Sequence, residues 1–329
     1  MMIVSKLCRR LDMFWKHNIV KEQYPLLTFL SRLKLKSEET MGVVYMLHHV
    51  AEKNSYGIPT NEDLKVSPSF LEKLIKRYKK QKVDFISLDT LYDILVTDKK
   101  LNRPFVVFTI DDGYLDNYSN ALPVFEKYQI PFAIFVATDF IDRKALLWWD
   151  SLENLMMKHD EIVTNDGKCY RCHSFQERWD SFRYLRERIL KLNQIHLEEE
   201  LKKMFSGYDL DWYEPVRKQS MTWEQVRILA HHPLCTIGGH TVSHSVLNRL
   251  SIENVKLEVA AGIDKISYFT GKPVHYFAYP YGTPNEIGKR EWQILEDLGI
   301  RLSFMAHQGC ITSNHINSLS HLPRVYFRE

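Results

Sequence analysis

No apolar run in this 329-residue chain approaches the length a helix needs to cross a bilayer, so a spanning protein is not expected. The start also lacks an uninterrupted hydrophobic stretch with a small-residue cleavage site, and no signal peptide is read there. Cysteines are few. The five present are odd in number and irregularly spaced, which argues against a disulfide framework and for a reducing compartment. Excess charge is scarce as well: 44 Lys and Arg against 41 Asp and Glu leave +3, too little to support nucleic-acid binding. With 45% hydrophobic and 26% charged residues, the composition suits one large globular domain or two modest ones, and the expected location is cytoplasmic.

What charge imbalance exists is local. Residues 1–36 carry eight Lys and Arg against Asp12 and Glu22, beside an apolar stripe of Leu7, Leu11, Phe14 and Trp15. Residues 1–40 therefore read as a basic helical segment, either a solvated cap or a peripheral contact with anionic lipid. From residue 41 onward strands and helices alternate. The strand candidates are Val43–Leu47, Phe105–Ile110, Pro131–Val136, Leu234–Ile237, Val274–Tyr279, Arg301–Met305 and Leu322–Phe327. A helix is expected from Phe70, Leu71, Leu74, Ile75 and Tyr78 on one face, with Lys73, Lys76, Arg77, Lys79 and Lys80 on the other. Residues 118–128 also read as helical, in conflict with Pro123. Residues 141–220 interrupt the alternation. They contain a hairpin pattern around Asn165-Asp166-Gly167 and helical periodicity over 180–205, and read as an insertion. Seven strands with intervening helices predict a barrel-like α/β fold.

Chemistry collects at the strand ends. Phe105 to Ile110 is an unbroken run of apolar and β-branched residues, the pattern of a strand buried on both faces, and Asp111-Asp112-Gly113 follows it directly. Adjacent carboxylates repel unless a cation or a proton intervenes. Gly238-Gly239-His240-Thr241-Val242-Ser243-His244 ends a later strand, and its histidines share a face if a helical turn begins there. Two histidines with one carboxylate form a zinc set that leaves a position open. Tyr279-Pro280-Tyr281-Gly282 ends another strand in a rigid turn that can leave backbone N–H groups free.

Taken in order, Thr109 to Gly113, His240 to His244 and Tyr279 to Gly282 resemble the first three motifs of the polysaccharide deacetylase family (carbohydrate esterase family 4). His48 and Val50, Phe85-Ile86-Ser87-Leu88 and Leu322-Pro323-Arg324-Val325 resemble its branch acting on poly-N-acetylglucosamine and capsule-like saccharides, with Leu47 in place of a tyrosine. The resemblance covers residues 42–329 apart from the insertion. It implies a distorted (β/α)7 barrel, here with a mixed helical and hairpin insertion at about 141–220, an N-terminal helical segment over 1–40 and a catalytic domain over 41–329. It implies removal of N-acetyl groups from an amino sugar in a polysaccharide or lipid-linked saccharide, with Zn2+ or another divalent transition metal. By position, Asp112, His240 and His244 would be ligands, Asp111 the base toward the attacking water, and the Tyr281 N–H an oxyanion donor. His48 would be the acid for the leaving amine, with His321 of a Leu-x-His match as the alternative.

Two departures from the family pattern bear on this: an arginine is missing, and the C-terminal Leu-x-His motif is matched only by Leu319-Ser320-His321, directly before Leu322-Pro323-Arg324. Ala278 stands where many members have an arginine, and Arg324 is the candidate to replace it beside Asp111. Cys169-Tyr170-Arg171-Cys172-His173 matches the c-type haem attachment pattern, but in a hairpin of the insertion. Trp148 and Trp149 are read as core packing, with stacking on sugar as the other option. Other hydrolysis of a non-peptide C–N bond, such as deformylation, and saccharide binding by a decayed site are the competing readings.

Overall fold

Phe105–Asp112 forms a strand in which all eight residues are buried. Such a run has two apolar faces to cover, and parallel neighbours backed by helices supply that cover. The computed structural model describes residues 40–97 and 101–326 and sets this strand inside a nine-stranded sheet. In chain order the strands are β1 (Thr40–Leu47), β2 (Asp84–Phe85), β3 (Phe105–Asp112), β4 (Phe132–Val136), β5 (Cys235–Gly239), β6 (Tyr276–Ala278), β7 (Leu302–Phe304), β8 (Ile311–Thr312) and β9 (Val325–Tyr326). Across the sheet they run β7-β6-β5-β4-β3-β1-β8, with β2 also on β3 and β9 also on β1. Only the β1–β8 pairing is antiparallel.

The outer strand β7 does not end the sheet in solvent. Leu322 N donates to Ser303 O at 2.8 Å and Met305 N donates to Leu322 O at 2.9 Å. Leu322 leads straight into β9, which lies on β1, so the last segment is the seam of a distorted (β/α) barrel. The two strands beyond the seven expected, β2 and β8, are two residues long and too short to leave a periodic pattern.

The principal helices are α1 (Pro68–Lys80), α2 (Leu88–Thr97), α3 (Leu122–Tyr128), α4 (Trp148–Lys158), α5 (Phe175–Ile189), α6 (Trp223–Ala230), α7 (Ile252–Thr270) and α8 (Lys289–Asp297). α1 begins at Ser67, whose Oγ accepts the Phe70 N–H, and it buries Leu71, Leu74, Ile75 and Tyr78 as its period requires. The Pro123 conflict resolves into two pieces. A π-helical turn covers Asn117–Ala121, and Pro123 falls in the first turn of α3, where a missing N–H costs nothing.

The 141–220 segment wraps its own apolar cluster, which includes Trp148, Leu152, Phe182, Leu185, Ile189 and Leu201. Its hairpin pairs Glu161–Val163 with Cys169–Arg171. The single periodicity over 180–205 is two helices, α5 and Leu197–Met204. Asn193 Oδ1 accepts the Ile195 N–H at 3.1 Å, a local turn that competes with helix between them. No described helix is long and apolar enough to cross a membrane. The basic 1–40 segment lies outside the described residues except for Thr40, which begins β1.

Candidate active site at the carboxyl ends of the strands

Parallel register fixes which residues share a rim. Leu47 pairs with Ile110, Asp112 with Val136, Val136 with Gly239, and Gly239 with Phe277. The residues that follow these positions therefore emerge at one end of the barrel, where such folds place their chemistry. His48, Asp111, Asp112, His240, His244, Tyr281 and Arg324 all line one cavity of ≈ 180 Å³ there. Trp148, Trp149, Phe182 and Arg186 of the inserted segment form part of its wall.

The two aspartates diverge because the chain turns at the second. Asp112 has φ 79° and the Gly113 N–H closes back onto Asp111 O at 3.1 Å. This is a tight three-residue turn in a conformation L residues rarely adopt. Asp111 thereby faces Arg324, whose Nη1 and Nη2 each lie 2.7 Å from one carboxylate oxygen. Arg324 is 1% exposed and also donates from Nε to Met305 O and from Nη1 to Thr109 Oγ1. Burial works against ionisation of Asp111, but Arg324 and His240 outweigh it and hold the carboxyl below its usual range. The guanidinium absent at Ala278 is thus present from the barrel seam.

Asp112 faces the histidines. Its Oδ1 lies 3.3 Å from Nε2 of both His240 and His244. His240 Nδ1 is 2.7 Å from Ala278 O and must donate to it, which leaves Nε2 of a neutral ring with a lone pair aimed at the carboxylate. Asp112 Oδ1 and His244 Nδ1 are buried without a hydrogen-bond partner. Three lone-pair donors with ligand atoms all within 4.8 Å of one another fit a cation, which would relieve their mutual repulsion. Burial opposes ionisation of Asp112 too; it is outweighed, and the carboxyl brought well below its usual range, when the two imidazoles carry protons toward it, the place a cation would take.

A helical turn, the condition under which the two histidines would share a face, does not form through His240–His244. Thr241 and His244 have φ 68° and 60°, and the turn is held from α7 instead. Glu258 accepts the Val242 and Ser243 N–H groups at 3.1 and 2.9 Å and the Ser243 hydroxyl at 2.9 Å. α7 approaches at Gly262, where a Cβ would meet the Thr241 carbonyl at 3.1 Å. The paired glycines serve close packing. Gly238 sits within β5, and a Cβ there would strike the Phe135 ring at 2.4 Å.

Tyr281 repeats the geometry of Asp112. It has φ 58°, and Gly282 N closes onto Pro280 O at 2.6 Å. Among the described residues its backbone N–H has no acceptor. Its hydroxyl takes a hydrogen bond from Trp148 Nε1 at 3.2 Å, and burial pushes the phenol up. Trp148 is buried in the insertion's core while also closing the cavity; Trp149 is half-buried with its ring 5.5 Å from that of His244.

His48 is half-buried on the cavity wall, its backbone carbonyl held by Asn117 Nδ2 at 2.8 Å. Burial draws its imidazole below the usual range, against an upward pull from Asp112 and Asp111. His49 turns away, as alternation requires, and bonds Asp116 at 2.6 Å. His321 does not line the cavity; it stacks on Trp292 at 4.0 Å. Of the haem-like pair, Cys169 is exposed and Cys172 is buried in the insertion's core. Glu258 and Arg186 carry no signal in the sequence, and Phe182 reads there only as an apolar position of the 180–205 helical period. None sits in a strand-end motif, and only the fold brings them near.

Comparison with known proteins follows the same lines. The family model described as polysaccharide deacetylase matches residues 98–303. A stretch of 62 residues is 37% identical to YxkH of Bacillus subtilis (strain 168), named as a polysaccharide deacetylase; it spans 19% of this chain and 22% of that relative's length. Among solved structures, the Streptococcus pyogenes deacetylase PplD in complex with acetate is similar with a TM-score of 0.59 at 16% identity, over 88% of this chain and 93% of that one. IcaB from Ammonifex degensii is similar with a TM-score of 0.57 at 19% identity, over 87% and 91%. At these identities the structures speak for the shared fold.

Proposed function

The chain belongs to the polysaccharide deacetylase family, and from that premise we propose that it hydrolyses the N-acetyl amide of an amino sugar within a polysaccharide or lipid-linked saccharide. One observation carries the reading. An Asp–His–His set, with Asp112 and His240 buried and His244 half-buried, is suited to a divalent cation and lies next to a second carboxylate kept ionised by its own arginine.

In this reading Asp112, His240 and His244 hold the ion, zinc or another divalent transition metal. When bound, it would supply a Lewis acid for the amide carbonyl and for the attacking water. Asp111 takes the proton that water loses as its oxygen bonds to the acetyl carbon. Arg324 keeps Asp111 ionised for that task and holds both carboxylate oxygens in place. The Tyr281 N–H donates to the carbonyl oxygen as negative charge builds on it. An amine is a poor leaving group unless it is protonated as the C–N bond breaks, and His48 is the cavity's histidine free to deliver that proton. The products are acetate and the free amino sugar. Acetate is the ligand named with the streptococcal deacetylase of similar fold. The barrel wall and the inserted segment enclose this chemistry, with Trp148 and Trp149 restricting water.

The test is acetate release from N-acetylglucosamine oligomers by the purified protein, before and after exhaustive chelation and zinc restoration. Release that stops with chelation and returns with zinc supports the reading. Full turnover in metal-free protein overturns the metal's part in it. Formate release from N-formylated analogues, with no acetate from any acetylated one, would move the chemistry to deformylation.

A further inference from the structure

α5 carries four arginines, and three are engaged by groups of this chain. Arg178 donates to Cys172 O at 3.0 Å, Arg183 pairs with Asp180 at 2.5 Å, and Arg188 pairs with Asp166 at 3.1 Å. Arg186 is the fourth. It follows Phe182 by one helical turn, and both line the active cavity. Its neighbours at ion-pairing distance along the helix are Phe182, Arg183, Ile189 and Leu190, none of them acidic. Among the described residues Arg186 forms no ion pair and no side-chain hydrogen bond.

Its position is fixed rather than adventitious. A Ser174–Glu177 capping box starts α5, and Phe182, Leu185 and Ile189 anchor it in the insertion's apolar cluster. The carboxylates across the cavity have other places, Asp111 paired with Arg324 and Asp112 in the cation-binding set with the two histidines. A half-buried cation without a partner bears a desolvation cost that a bound anion would offset. The planar guanidinium fork matches carboxylate and phosphate oxygens two at a time.

We propose that Arg186 is a specificity residue that receives an anionic substituent of the saccharide, a carboxylate or a phosphodiester, on the sugar being deacetylated or on the one beside it. This rests on the deacetylase reading and adds the substrate class: an acidic polymer rather than a neutral one. The anion is read by the inserted segment, apart from the strand-end motifs that carry the reaction.

The experiment uses the full chain with zinc and three oligosaccharide series of matched length. One is neutral and N-acetylated, one alternates N-acetylhexosamine with hexuronate, and one is joined by phosphodiesters. The expected result is a kcat/KM at least about tenfold higher for one anionic series than for the neutral one, the scale of one charged hydrogen-bond pair. That advantage shrinks as salt is raised. In Arg186→Gln the anionic-to-neutral ratio falls toward one, mainly through KM, and Arg186→Lys recovers part of it. The series that responds identifies the anion. A ratio near one in the wild type, unmoved by Arg186→Gln, overturns the proposal and leaves deacetylation standing. Absence of acetate from every series overturns the deacetylase reading instead. Calorimetric binding of the same oligosaccharides then decides on Arg186: anion-dependent binding that Arg186→Gln weakens at least about tenfold supports it, and binding without anion preference overturns it.

Discussion

Asp111 and Asp112 are neighbours in the chain and face opposite partners, because the backbone reverses at Asp112 with φ 79°. One carboxylate is met by a guanidinium and the other by two imidazole lone pairs. Their substitutions should therefore separate. Asp112→Asn exchanges an anionic ligand for a neutral one and is expected to lose zinc on dialysis. Asp111→Asn is expected to keep near-stoichiometric zinc and lose nearly all turnover, since an amide does not accept the water proton. Zinc content and kcat measured across a zinc titration check both, and rescue of Asp111→Asn by excess zinc would reverse the assignment. The same pair predicts a stability effect. Arg324→Met leaves a buried carboxylate unpaired and should lower unfolding free energy by about 3–5 kcal/mol. Adding Asp111→Asn removes the stranded charge and should recover much of the loss. Urea unfolding of the two single variants and the double variant tests this; additive losses would mean the two residues do not act as a pair.

Elements differ in how plainly they announced themselves. The two-sided apolar run of β3, the amphipathic period of α1 and the Asn-Asp-Gly hairpin are local patterns, and each appears where the sequence places it. The turn after β5 is another matter. Its histidines meet at one carboxylate without a helix, because Glu258 from α7 takes two backbone N–H groups and a hydroxyl of the turn. Nothing near Glu258 in the sequence marks that role, since a glutamate on a helix usually just faces water. The consequence is measurable. Glu258→Ala should weaken zinc binding by about tenfold, the low end for groups that position metal ligands, and Glu258→Gln should recover part of it through the retained oxygen. Competition against a chromogenic chelator reads this without turnover. Equal zinc affinity in the wild type and Glu258→Ala would mean that the turn holds its shape unaided.

At the scale of the whole molecule, strand–helix alternation made the barrel legible and the motifs at its strand ends made the site legible, because both are short-range signals. The seam at Leu322 and the wall supplied by α5 were not, since each depends on segments distant in sequence that meet only in the closed barrel. Closure also half-buries a carboxylate that has no comparable cation. Asp150, in the first turn of α4, is pushed up to about 6, mainly by burial and further by Glu153, with His49 pulling the other way. The sign follows from linkage. The folded state binds this proton more tightly than the unfolded chain, so the group's favourable contribution is complete below about pH 4 and is lost as pH rises to about 6. Asp150→Asn cannot ionise and keeps an oxygen for Gln219, whose Nε2 lies 3.4 Å from Asp150 Oδ2. Its urea midpoint should therefore exceed that of the wild type at pH 7, and the gap should close as pH is lowered through 6 toward 4. A gap of constant size across that range would show that Asp150 is ionised at no cost to the fold, and that the advantage of asparagine has another source.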